Sequence, residues 1–187
     1  MRFAQIKTQY YQLPQTVRLF IQRALLLFIG WKIMYDGFLQ AKGIPDKWLT
    51  KWTGEAASWL LTKWYQPAYV VMGKEKAYLF INQKLIVAIA DGCNALELLI
   101  TYLGFLICLP AGRLRFWLFA PLGLMSIVIL NILRTVAISW MNIKYPDWFD
   151  FAHHYLFQIL VYAYIFFLWV KYAAPIYATS TDTQPKN

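Results

Sequence analysis

The feature that most constrains this chain is a set of long apolar runs, at 24–39, 96–109, 116–140 and 155–176 of its 187 residues. A helix needs roughly 20 mostly apolar residues to cross a hydrocarbon core of about 30 Å. The third and fourth runs meet that length, and the second does so when extended back through Ile86–Ile89. The first is interrupted near its end by Lys32 and Asp36. Hydrophobic residues make up 60% of the chain, above the roughly 45–50% of a soluble domain, and the surplus sits in these runs. The expectation is an all-α integral membrane protein with about four transmembrane helices, at about 17–39, 93–110, 116–140 and 154–173. A fifth span at 44–64 is the alternative. No Pro/Ser-rich linker divides the chain, so residues 1–177 read as one membrane domain. The small, polar segment 178–187 reads as a disordered tail.

The formal charge of +9 would suit nucleic acid, but the basic residues sort by membrane side instead. Five of the six arginines (Arg2, Arg18, Arg23, Arg113 and Arg115) flank the apolar runs, and only Arg134 lies within one. Positive residues close to span ends set orientation. The N-terminus and the 111–115 loop are therefore expected in the cytoplasm, and no nucleic-acid partner is expected. A cleaved signal peptide ending near Ala41 is the competing reading of the N-terminal segment, against which stand a long basic region and a poor cleavage pattern.

Residues 40–92 are then an outer region. Pro45 and Asp46 signal a helix start. Beyond them Trp48, Trp52, Trp59 and Leu60 recur at roughly helical spacing among Lys47, Lys51 and Lys63, as in an interfacial helix. Three β-prone pieces follow, Tyr69–Met72, Tyr78–Ile81 and Leu85–Ile89, separated by turn-like stretches. They predict a small meander on the outer side, leading into Asp91-Gly92-Cys93.

On this topology Cys93, Arg134 and the pair His153-His154 come from three helices to one depth on one side. A thiolate can attack a peptide carbonyl, histidine is the usual proton shuttle, and a guanidinium can stabilise an oxyanion. Those are the parts of an acyl-transfer site. Each has a plain structural alternative as a buried small hydrophobe, a snorkelling arginine or interfacial side chains. Asn131 lies one turn before Arg134 on the same face. Glu97 could pair with Arg134 or with another cation, and Asp91 could orient a histidine or cap the next helix. Cys93 and Cys108, about 22 Å apart if they share a helix, cannot form a disulfide.

Three blocks carry a resemblance: Ile-Ala-Asp-Gly-Cys93-Asn opening a span, Asn131-Ile-Leu-Arg134 closing the next, and His153-His154 opening the last. In that order the chain, over about 69–172, resembles the exosortase/archaeosortase family of membrane cysteine transpeptidases. Where many members have Ser-Gly after the cysteine, Asn94-Ala95 stand here. The resemblance implies Cys93 as nucleophile, Arg134 as stabilising cation and His154 as acid/base, because His154 directly precedes the aromatic–aliphatic run. His153, Asn131, Glu97 and Asp91 would support them. It further implies a bacterial cytoplasmic (inner) membrane enzyme with its site at the outer face and with no cofactor or metal. Its substrates would be membrane-anchored proteins carrying a C-terminal sorting tail, and its acceptor an amine, with polysaccharide or lipid as candidates. The alternative from another class is a non-catalytic membrane subunit of a secretion or polysaccharide-export assembly. A metal hydrolase built on His153 and His154 is disfavoured, since adjacent helical residues point apart and no HExxH motif exists.

Overall fold

The computed structural model describes residues 11, 13–74, 76–90, 93–109 and 111–181. Helix α1 (Gln15–Met34) runs on through a π-helical stretch, Tyr35–Leu39, and a three-residue stub that ends at Gly43. Helix α2 (Asp46–Leu61) is followed by strands β1 (Ala68–Met72), β2 (Lys76–Ile81) and β3 (Lys84–Ala90), a single antiparallel sheet in that order. Helices α3 (Leu96–Cys108), α4 (Arg113–Lys144) and α5 (Pro146–Phe151) come next. A second π-helical stretch, Ala152–Leu156, joins α5 to α6 (Phe157–Thr181). The strands lie within two residues of the three β-prone pieces, because β-branched and aromatic residues alternate there between turn residues.

The expectation of an all-α membrane protein with four or five spans is corrected. Among the described residues the chain is mostly helical with one small sheet, and two helices are long and apolar enough to cross a membrane: Arg113–Lys144 and the continuous Pro146–Pro175. Each of the other candidates fails for a physical reason. The 20 residues of α1 contain Arg18, Arg23 and Lys32, too many charges for an uninterrupted apolar stretch. Helix α3 has 13 residues, about 20 Å at 1.5 Å each, well short of a ~30 Å core. Ile86–Ile89, needed to lengthen it, belong to β3. Helix α2 has 16 residues and packs one face on the sheet. At the C-terminal end, α6 continues to Thr181, so the segment expected to be a disordered tail begins as helix. Residues 182–187 lie outside the described residues.

Two packing centres hold these elements. In the first, Tyr102 and Leu106 of α3, Ala120 and Ile127 of α4, and Val161, Ile165 and Tyr172 of α6 form a three-helix core. Gly123 lets α3 and α4 approach closely: a Cβ there would stand 2.1 Å from the Tyr102 hydroxyl. In the second, Ala57 and Leu61 of α2 meet Leu79 and Ile81 of β2, with Ile132, Val136 and Ile143 of α4 against them. Thus α2 and the sheet form a cap on the C-terminal half of α4. At the opposite end Arg115 donates to the carbonyls of Lys171 and Tyr172, fixing α4 and α6 as antiparallel neighbours.

Candidate active site

The candidate residues lie on three elements: the turn from β3 into α3, helix α4, and the π-helical stretch before α6. Cys93 stands in the turn from β3 into α3 and is half-buried. Its own carbonyl accepts a hydrogen bond from Asn131 Nδ2 at 3.0 Å. Asn131 is 3% exposed and lies on the buried stripe of α4, with Thr135 and Ser139 below it. Their spacing of four residues keeps all three on one helix face, and each hydroxyl bonds back to the carbonyl four residues earlier. The Asn-x-x-Arg spacing then carries Arg134 one turn along from the residue that holds the cysteine.

Arg134 is only partly exposed, and its Nε is buried without a hydrogen-bond partner. The side chain lines a cavity of about 150 Å³, whose wall also includes Tyr35, Asp46, Asn94, Glu97 and Gln158. An arginine can offer five donors in a planar fork. Glu97 is exposed and, among the described residues, makes no ion pair; it shares the cavity wall with Arg134 rather than neutralising it. Asp91 lies outside the described residues.

The histidines occupy the π-helical stretch between α5 and α6, a local distortion frequent at functional sites. They differ sharply in surroundings. The ring of His153 is half-buried, stacked on Phe149 at 5.7 Å, and feels the charges of Arg134, His154 and Asp150. His154 is exposed, with Nδ1 at 3.0 Å from the Asp150 carbonyl. The structure thus joins Asn131 to the Cys93 main chain and sets Arg134 one turn on, with His153 half-buried and His154 exposed; neither Cys93 nor either histidine is among the residues that line the cavity. Among the described residues no group of three or more His, Cys, Asp or Glu side chains is disposed to hold a metal ion. Cys108 is buried near the other end of α3, apart from Cys93.

Four residues that spacing alone did not single out, Tyr35, Asp46, Asn94 and Ala95, also line the wall. Asn94 is 2% exposed; its Oδ1 accepts the N–H of Leu96, the first residue of α3, at 2.9 Å. Its Nδ2 donates to Asp46 Oδ1 at 2.7 Å. The other oxygen of Asp46, itself 3% exposed, accepts from the Tyr35 hydroxyl at 2.8 Å. Asp46 was visible as a helix-start residue after Pro45. Nothing in a one-dimensional pattern joins it to a residue 48 positions later. Ala95, between Asn94 and α3, has a φ of 67°, in the left-handed region.

Comparison with protein-family models, curated proteins and solved structures finds no match.

Proposed function

We propose that this chain is a membrane cysteine transpeptidase or peptidase of the exosortase/archaeosortase type. It would act on membrane-anchored proteins with a C-terminal sorting tail at the outer face of the bacterial cytoplasmic membrane. The observation that carries this reading is the Cys93–Asn131–Arg134 arrangement. Asn131 grips the main chain of the thiol residue, and one turn on, an arginine with an unpaired buried Nε faces a cavity. The left-handed φ of Ala95 adds support, because glycine follows at that position in many members of the family and glycine is the residue that conformation favours.

In this mechanism the Cys93 thiolate adds to the substrate carbonyl, and the oxyanion is met by the guanidinium of Arg134. The C–N bond then breaks, a histidine gives its proton to the departing amine of the tail, and a thioester to Cys93 remains. An acceptor amine, or water, attacks the thioester; the histidine takes its proton and the sulfur leaves as thiolate. We assign the proton transfers to His153 rather than to His154, the residue the motif suggests. What supports His153 is its half-buried ring within electrostatic reach of Arg134. The chemistry uses side chains of this chain alone.

One observation favours the assembly-subunit reading: Asn131 and Asn142 both donate to main-chain carbonyls of other elements, as interhelical polar contacts do. The two readings separate on paired measurements of protein abundance and of the size of a tailed substrate in the same cells. Cys93→Ser keeps the packing and removes the strong nucleophile, so abundance should stay near normal while full-length substrate accumulates. Arg134→Lys should also fail, since an ammonium cannot reproduce the guanidinium fork. Normal abundance with normal processing in Cys93→Ser would rule out the thiol as nucleophile.

A further inference from the structure

We infer that Asp46 and Asn94 are positioning residues for Cys93, acting as one directional hydrogen-bond relay that ties α1 and α2 to the turn carrying the thiol. The inference rests on the reading of Cys93 as the nucleophile. The relay begins at the Tyr35 hydroxyl, which donates to Asp46 Oδ2 at 2.8 Å. Asp46 Oδ1 accepts from Asn94 Nδ2 at 2.7 Å, and Asn94 Oδ1 accepts the Leu96 N–H at 2.9 Å. Longer contacts of 3.4 Å run from Asn94 Nδ2 to the Asp46 carbonyl and to Thr50 Oγ1. Cys93, next in sequence to Asn94, is held from the other side by Asn131. The turn is thus pinned between α2 and α4, with both pinning side chains almost fully buried.

The chemistry of the relay fixes its order. A carboxylate only accepts, so Asp46 can take a donor on each oxygen, and a carboxamide has one accepting and one donating end. Asp46→Asn keeps the Asn94 bond only by turning its NH₂ to the Tyr35 hydroxyl, which must then give up donating and accept; in the other orientation a donor faces a donor at Asn94. Asn94→Asp alone sets two carboxylates against each other inside the protein, which is costly. The two changes together reverse the central bond and satisfy every end. The amide at 46 donates to the carboxylate at 94 and still accepts from Tyr35, while the second carboxylate oxygen accepts the Leu96 N–H.

That exchange is the test, made on the full chain. Two readouts are taken: processing of a tailed substrate in cells, and the rate at which a maleimide alkylates Cys93 in detergent, resolved from Cys108 by peptide mass spectrometry. Each single variant should lower processing by about 10- to 100-fold, the scale of a misplacement near 1 Å, and speed Cys93 alkylation as its turn loosens. The double variant should bring both readouts back to within about threefold of the parent, as expected of coupled neighbours. Tyr35→Phe, which removes only one hydroxyl, should fall between, and serves if a single variant does not accumulate. Unchanged alkylation in the single variants and in Tyr35→Phe, or a double variant no better than the worse single, would overturn the inference. If Cys93→Ser processes substrate normally, the functional reading falls instead, and the alkylation rates still judge the relay.

Discussion

Ala95 carries the most demanding backbone of the site. A left-handed φ of 67° brings Cβ towards the carbonyl that follows, a conformation that disfavours an L-residue by roughly 1–2 kcal/mol. Ala95 is nonetheless buried in the three-helix core, where its methyl group recovers part of that through packing. The conformation is one that glycine favours, and here an alanine holds it. The paired histidines are the second matter decided at this scale. His153→Ala should lower processing by about 100-fold or more, from the lower end of the range for losing a general acid–base upwards. His154→Ala should retain a substantial part of it. Reversed outcomes in a processing assay with matched abundance would return the role to His154.

Among the elements, the junction of α3 and α4 is the most sensitive to size. Gly123 faces the Tyr102 ring, and an added Cβ would sit 2.1 to 2.3 Å from three of its atoms. Tyr102 cannot retreat easily, because it is fully buried and its hydroxyl donates to the Phe119 carbonyl at 2.8 Å. Gly123→Ala should therefore destabilise by about 1–3 kcal/mol, the usual range for overpacking, read as a lower midpoint of thermal unfolding in detergent. In a Tyr102→Leu background the same change should have little effect, which a double-mutant cycle would detect. The elements also show where sequence reading fell short. The three strands were legible from alternation and turn residues, and α4 from its unbroken apolar length. The span count was not, because Ile86–Ile89 form an apolar run that suits a buried strand or a helix equally. Once β3 claims those residues, α3 is too short to cross. For the site, Cys93, Asn131 and Arg134 were legible because two of them share a helix face at a spacing of three. Asp46 and Asn94 were not, since their contact exists only after the cap has folded onto α4.

At the scale of the whole molecule, the two cysteines mark opposite ends of α3, one half-exposed under the cap and one buried beside the basic end. Under the proposed orientation, a membrane-impermeant maleimide applied to intact cells should label Cys93 slowly and leave Cys108 untouched. Labelling of Cys108 alone would invert the orientation and remove the outer-face site. The cap itself stands on α4, whose 32 residues rise about 48 Å at 1.5 Å per residue, against a hydrocarbon core of about 30 Å. Towards its C-terminal end Ile132, Val136 and Ile143 pack against α2 and β2, and Asn142 donates to the Ile86 carbonyl of β3 at 2.7 Å. Under the proposed orientation helix α4 would act as a ruler, setting the depth of the turn that carries Cys93 in helical steps rather than leaving it to a loop. One inserted residue would lift the cap by about 1.5 Å but swing it by about 100° around the bundle, so that only near-whole turns preserve its facing.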